Sequence, residues 1–114
     1  MLSEKMKEDL ICGLRLIFGN AIQTIILYGS VARNEATEES DIDIAIIMKK
    51  DMEEAEKEQF LCWSAEMDIQ YNKVFSIVDI QEEQLEKWGD ILPFYKNIRE
   101  EGVVFVERSL RELA

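Results

Sequence analysis

The residues best suited to chemistry are two aspartates, Asp41 and Asp43, and a Gly29-Ser30 pair that precedes them by ten intervening residues. On an extended strand, alternate side chains share a face. The two carboxylates would then stand about 7 Å apart along the chain. Hard oxygen ligands at that spacing can hold one or two Mg²⁺ ions while phosphate oxygens complete the shell. By itself, Asp-x-Asp also occurs at ordinary strand ends. Gly29 follows a buried run and permits a tight turn with positive φ. Ser30 can then cap a helix whose first N–H groups form an anion site. An ordinary strand-to-helix turn uses the same two residues. Arg33 lies a turn further on. It could reach a triphosphate, or pair with Glu35 or Glu38, the default for an exposed arginine. Together these parts meet the needs of nucleotide-dependent phosphoryl chemistry. The turn positions the β- and γ-phosphates, and the metal neutralises charge and aligns the α-phosphate for in-line attack.

Composition narrows the alternatives. The chain has 114 residues, 24 acidic and 13 basic, for a formal net charge of -11. One compact domain over residues 1–114 fits that length. Nucleic-acid binding relies on Lys and Arg, so direct binding to a phosphate backbone is not expected. An acidic surface suits solubility, or a basic protein partner. There is no histidine, and the two cysteines, Cys12 and Cys62, cannot supply four ligands. A Cys/His zinc site and a Ser-His-Asp triad are excluded. Both cysteines fall among apolar residues on predicted helices and read as buried free thiols. No apolar run approaches the roughly 20 residues of a membrane span. Residues 1–9 alternate charges and lack the layout of a signal peptide, which reads as cytoplasmic.

The elements that must position these residues alternate in kind. Met6, Leu10, Leu14 and Phe18 recur at helical spacing, so a helix is expected over residues 4–18, ended by Gly19-Asn20. Residues 24–28 read as a buried strand that stops at Gly29, and residues 30–36 as a turn into a short helix. Residues 41–48 form a second strand, with Ile42, Ile44 and Ile46 on one face and Asp41, Asp43, Ala45 and Ile47 on the other. Asp51 and Glu54 suggest a capping box opening a helix whose buried stripe is Met52, Ala55, Phe60, Trp63 and Met67. A third strand covers residues 73–80, and a helical turn or two covers 81–88. Pro93 starts a last helix that ends at Gly102. Residues 103–106 add a short fourth strand, with a helical or frayed tail beyond Glu107. The expectation is an α+β domain with α/β-like alternation, a small sheet covered by helices. Phe60, Trp63, Trp88, Phe94 and Tyr95, at apolar helical positions, read as core or interface residues rather than as base-stacking platforms.

The Gly29-Ser30 pair, ten residues, then Asp41-Ile42-Asp43 resembles the signature of the DNA polymerase β-like nucleotidyltransferase superfamily. Tyr28-Gly29-Ser30-Val31-Ala32-Arg33 and Ser40-Asp41-Ile42-Asp43-Ile44 are similar to its minimal nucleotidyltransferase (MNT) branch. Leu92-Pro93-Phe94-Tyr95-Lys96-Asn97-Ile98 and Glu101-Gly102-Val103 look like the C-terminal end of that branch. The resemblance runs over roughly residues 24–106. It implies a nucleotidyltransferase fold, a mixed sheet flanked by helices. It also implies Asp41 and Asp43 as Mg²⁺ ligands, with Gly29, Ser30, Arg33 and Ser40 toward the nucleotide. The implied reaction is Mg²⁺-dependent transfer of a nucleoside monophosphate, AMP from ATP, to a protein hydroxyl. Many MNT proteins are antitoxins of the MntA kind, paired with a HEPN-type toxin. The aromatic-bearing helices leave pairing of copies open.

The sequence departs from the family pattern at one place. Active members usually carry a third carboxylate on the next core strand, and alignment of residues 74–79 puts Ser76 at or near that position. Two acids could substitute. Asp79 lies at the far end of the same strand with opposite parity, and Asp68 has Ser76's parity if the strand extends back through Gln70 and Asn72. The alternative is that Asp79 caps the following helix and Asp68 ends the preceding one. Two functions follow: an active transferase, or an MNT-fold antitoxin with an impaired site that acts by stoichiometric binding.

Overall fold

The computed structural model describes residues 2–32 and 41–107. Helix α1 covers Glu4–Phe18, as the spacing of its apolar residues requires. The Ser3 hydroxyl accepts from the Met6 N–H at 3.2 Å and caps its start. Gly19, at φ +53°, donates its N–H to Arg15 and closes its end. A 3-10 turn over Gly19–Ala21 leads into strand β1, Ile22–Tyr28. Helix α2, Gly29–Ala32, follows without a gap. Strand β2 is Ile42–Met48, helix α3 is Glu54–Tyr71 and strand β3 is Phe75–Gln81. Helices α4, Glu82–Trp88, and α5, Pro93–Glu101, precede strand β4, Val103–Glu107.

The four strands form one mixed sheet in the order β3-β2-β1-β4. Strand β1 is antiparallel to both β2 and β4, and β2 is parallel to β3 through the α3 crossover. The two central strands are apolar on both faces, which demands helices on both. On one face Ile25, Leu27, Ile42, Ile44, Ile46 and Met48 pack against Leu10, Leu14 and Phe18 of α1 and Met67 of α3. On the other face Ile26, Ala45, Ile47 and Ile80 pack against Ile98 of α5, with Leu85 and Tyr95 alongside. The expected α+β architecture is observed, as is the division of β2 between Ile42, Ile44 and Ile46 on one face and Ala45 and Ile47 on the other.

Three local expectations need correction. The capping box belongs to Glu53 and Glu56, not to Asp51 and Glu54. The chain leaves β2 at Met48 and stays out of helix until Glu53 is reached in an extended conformation. With the helix starting later, Ala55 lies in its exposed first turn, while Met52, Phe60, Trp63 and Met67 do face the core. Both cysteines are exposed rather than buried. Cys12 is two residues from both Leu10 and Leu14, so it projects from the opposite side of α1. Among the described residues, no helix is long and apolar enough to cross a membrane. The tail beyond Glu107 lies outside the described residues.

Candidate active site

Three adjacent strand ends and one turn assemble the candidate site. Tyr28, the last residue of β1, pairs with Asp43 of β2. Asp43 pairs in turn with Ser76 of β3. The three side chains therefore sit side by side on one face of the sheet, the face that α4 and α5 cover further along the strands. Asp41 precedes β2, is exposed, and has Asp43's parity.

The turn after Tyr28 brings the backbone against the Asp43 carboxylate. Gly29 has φ +74°, a conformation that L side chains rarely adopt. A Cβ on Gly29 would stand 3.1 Å from Asp43 Cγ and 3.2 Å from its Cβ, and nearer still to Oδ2. Glycine is thus required twice, for the turn and for the approach of the carboxylate. Gly29 also opens α2, and the first N–H groups of a helix lack intrahelical partners. The Asp43 carboxylate thus stands against the start of a helix.

Tyr28 is half-buried, and its pKa is raised above 10.0, first by burial and then by the negative charge of Asp43. The phenol stays protonated and remains a hydrogen-bond donor at neutral pH. On its other side, its ring meets Phe94 edge-on, with centroids 5.8 Å apart and planes at 89°. Tyr28, Gly29, Phe94, Asn97 and Glu101 line a cavity of about 200 Å³. Phe94 is 46% exposed, so of the core or interface places that its apolar spacing suggested, the core is not the one it takes. Tyr95 does pack on the second core cluster. The α5 side of the site went unread in the sequence. Its available signal was Phe94, Asn97 and Glu101 at i, i+3 and i+7, a stripe on one helical face.

The acids that could substitute for a third carboxylate lie elsewhere. Asp79 is exposed and pairs with Ile46, three registers from Ser76. It shares parity with Phe75 and Ile77, on the face opposite Asp43, and the cap of α4 falls on Gln81 instead. Strand β3 does not extend back to Asp68, because α3 continues to Tyr71. Asp68 sits in that helix, and its Oδ1 accepts the Phe75 N–H at 2.9 Å across the α3–β3 turn. Among the described residues no group of three or more His, Cys, Asp or Glu is placed to hold a metal ion. Asp41 and Asp43 supply two hard oxygen donors, which suits a divalent ion that takes its other ligands from a nucleotide and water. Arg33 and Ser40 lie outside the described residues, and of Ser30 only the backbone is described.

Comparisons with known proteins identify the family and the fold. The family model described as "Polymerase beta, Nucleotidyltransferase" matches residues 15–110. A Methanocaldococcus jannaschii protein, provisionally assigned by name as a protein adenylyltransferase, is 34% identical over 107 residues, covering 91% of this chain and 98% of its own length. A chain of a toxin–antitoxin complex crystallised with AMP-PNP superposes with a TM-score of 0.64 at 16% identity, over 94% of this chain and 77% of that one. A chain of the complex between tri-AMPylated Shewanella oneidensis HEPN toxin and its MNT antitoxin gives a TM-score of 0.60 at 15% identity, over 92% of this chain and 72% of that one. At those identities the two structures establish a shared fold.

Proposed function

Because this chain belongs to the polymerase β nucleotidyltransferase family, we propose that it transfers AMP from ATP to a hydroxyl of a partner protein, and that the partner is a HEPN-type toxin which it restrains in the cytoplasm. In this reading Asp41 and Asp43 hold Mg²⁺. The Gly29 backbone and Ser30 receive the phosphates, and Arg33 and Ser40 assist. The carrying observation is the Asp43 carboxylate set against Gly29 at the strand-to-helix turn. That arrangement brings metal ligand and phosphate site together, as in-line attack at the α-phosphate needs. The relative assigned as a protein adenylyltransferase supports a protein acceptor. The likeness to the HEPN toxin–MNT antitoxin complex supports the class of partner.

A second reading rests on Ser76. It occupies the register position beside Asp43, where a third carboxylate would complete the metal shell. A hydroxyl there is a weaker ligand for a hard cation than a carboxylate. The protein would then restrain its partner by binding alone.

The separating experiment incubates the chain with radiolabelled ATP, Mg²⁺ and the product of the adjacent gene, alongside Asp41→Ala/Asp43→Ala. Label on the partner that disappears in the double variant supports the transferase. A stable, neutralised complex that never takes label, even with Mn²⁺, supports binding alone. Label transferred equally by the double variant would overturn the site assignment.

A further inference from the structure

Helix α3 is apolar on two sides. Phe60, Trp63 and Met67 belong to the core that it shares with α1 and the sheet. Cys62, Ala65 and Ile69, at i, i+3 and i+7, make a second stripe turned away from that core, with Leu61 beside it. All four are exposed, Ile69 by 82% and Leu61 by 60%. A helix that is apolar all round is normally covered all round. Helix α1 extends the patch. Leu16 is 83% exposed, and with Cys12 it lines a groove of about 410 Å³ whose α3 side holds Trp63, Met67 and Glu66. Single exposed apolar side chains are ordinary, but a set spread over two packed helices marks an interaction surface.

Charge selects the occupant. Helix α3 carries Glu54, Glu56, Glu58, Glu66 and Asp68 against Lys57. Glu56 closes the capping box and Asp68 accepts the Phe75 N–H. Among the described residues, the carboxylates of Glu54, Glu58 and Glu66 have no ion pair. Lys5 also lines the groove, together with Asp9, which accepts from the Tyr71 hydroxyl. A second copy of the chain would bring the same carboxylates, and a net charge of -11, against this face. A helix with an apolar stripe flanked by lysines or arginines suits both the apolar surface and its acidic rim.

We infer that the outer face of α1 and α3 is a docking surface for a basic amphipathic helix of a partner protein. Its apolar side lies on Leu16, Trp63 and Ile69, and its lysines or arginines reach Glu58 and Glu66. This face lies behind the sheet from Asp43, so a helix docked there leaves the candidate active site open.

Fluorescence anisotropy on the full chain tests it with two synthetic helical peptides that share one leucine stripe, one carrying lysines and the other glutamates on its remaining sides. The lysine peptide should bind, and the glutamate peptide should bind at least roughly tenfold more weakly. Ile69→Ser and Leu16→Ser should each weaken the lysine peptide roughly tenfold, the scale of an interface anchor, with wild-type urea midpoints because both positions are exposed. Glu58→Lys/Glu66→Lys should reverse the preference between the peptides. Maleimide labelling of Cys12 and Cys62 should slow when the lysine peptide is bound. Absent binding of the lysine peptide, equal binding of both peptides, or undiminished binding in both serine variants overturns the inference. A wild-type dimer in sedimentation velocity that Ile69→Ser dissociates also overturns it, because a second copy then takes the face.

Discussion

Replacing Gly29 by alanine perturbs the site at its narrowest point, and Gly19 provides an internal control. Both glycines have positive φ, +74° at Gly29 and +53° at Gly19. Forcing an L residue into such a conformation costs about 1–3 kcal/mol. At Gly19 nothing lies within 4 Å of the added Cβ, so Gly19→Ala should show that backbone cost alone. At Gly29 the same Cβ meets the Asp43 carboxylate, with Cγ at 3.1 Å. Accommodating it should add an overpacking cost of about 1–3 kcal/mol. In a domain near this size each kcal/mol lowers Tm by about 4 °C. Gly29→Ala should therefore unfold at lower urea and lower temperature than Gly19→Ala, by several degrees. It should also displace Asp43 from its position against the turn. Calorimetry with Mg²⁺ and ATP should find binding intact in Gly19→Ala and lost in Gly29→Ala. Equal destabilisation of the two variants, with equal nucleotide binding, would refute the argument that Gly29 is required by the Asp43 carboxylate.

Three further outcomes are expected. Gly13→Ala places a Cβ against the Trp63 indole, 2.6 Å from Cζ2 and closer to Nε1 and Cε2, and should pry α3 from α1. The cost should be about 1–3 kcal/mol, with a red-shifted tryptophan emission; native emission and an unchanged urea midpoint would contradict it. The Tyr71 hydroxyl donates to Asp9, linking α3 to α1, and its pKa is raised to about 12, first by that hydrogen bond, then by burial and by the Asp9 charge. The folded pKa exceeds the ordinary tyrosine value of 10.0, so the folded state holds the proton longer. Stability from this group is complete below pH 10 and is lost as pH rises toward 12. The difference in urea midpoint between wild type and Tyr71→Phe should shrink across that window, and a constant difference would count against it. Ser76→Asp adds a third carboxylate in register with Asp43. It should destabilise the metal-free protein through like-charge repulsion, tighten Mn²⁺ binding measured by electron paramagnetic resonance, and raise label transfer. Unchanged Mn²⁺ affinity would remove Ser76 from the metal's surroundings.

The site's chemical parts were legible along the chain because they are local. Gly29 follows a run of β-branched and aromatic residues, and Asp41 and Asp43 stand at the entry of an isoleucine-rich strand. The helix α1 and the two-faced strand β2 follow from apolar periodicity, which short segments express without help from the rest of the fold. Residues whose role depends on another element were read less well. Cys12 and Cys62 look apolar by their neighbours, yet the placement of α1 and α3 against the sheet decides which side of each helix is covered. The boundary at Glu53 rather than Asp51 depends on how the chain leaves the sheet, and local composition allowed both.

What the sequence by itself determined is the family, the pair of carboxylates and the glycine turn before them, since these depend on residue types at short fixed spacing. The tertiary structure decided which groups share the site. Sheet register set Ser76 beside Asp43 and turned Asp79 to the opposite face. The continuation of α3 to Tyr71 kept Asp68 off the strand and tied it to the Phe75 N–H. The packing of α5 across the end of β1 carried Phe94 and Asn97 to the Gly29 turn, more than sixty residues away in the chain. Strand pairing and helix docking are long-range contacts selected by burial on both faces of the sheet, and no local pattern of residues records them.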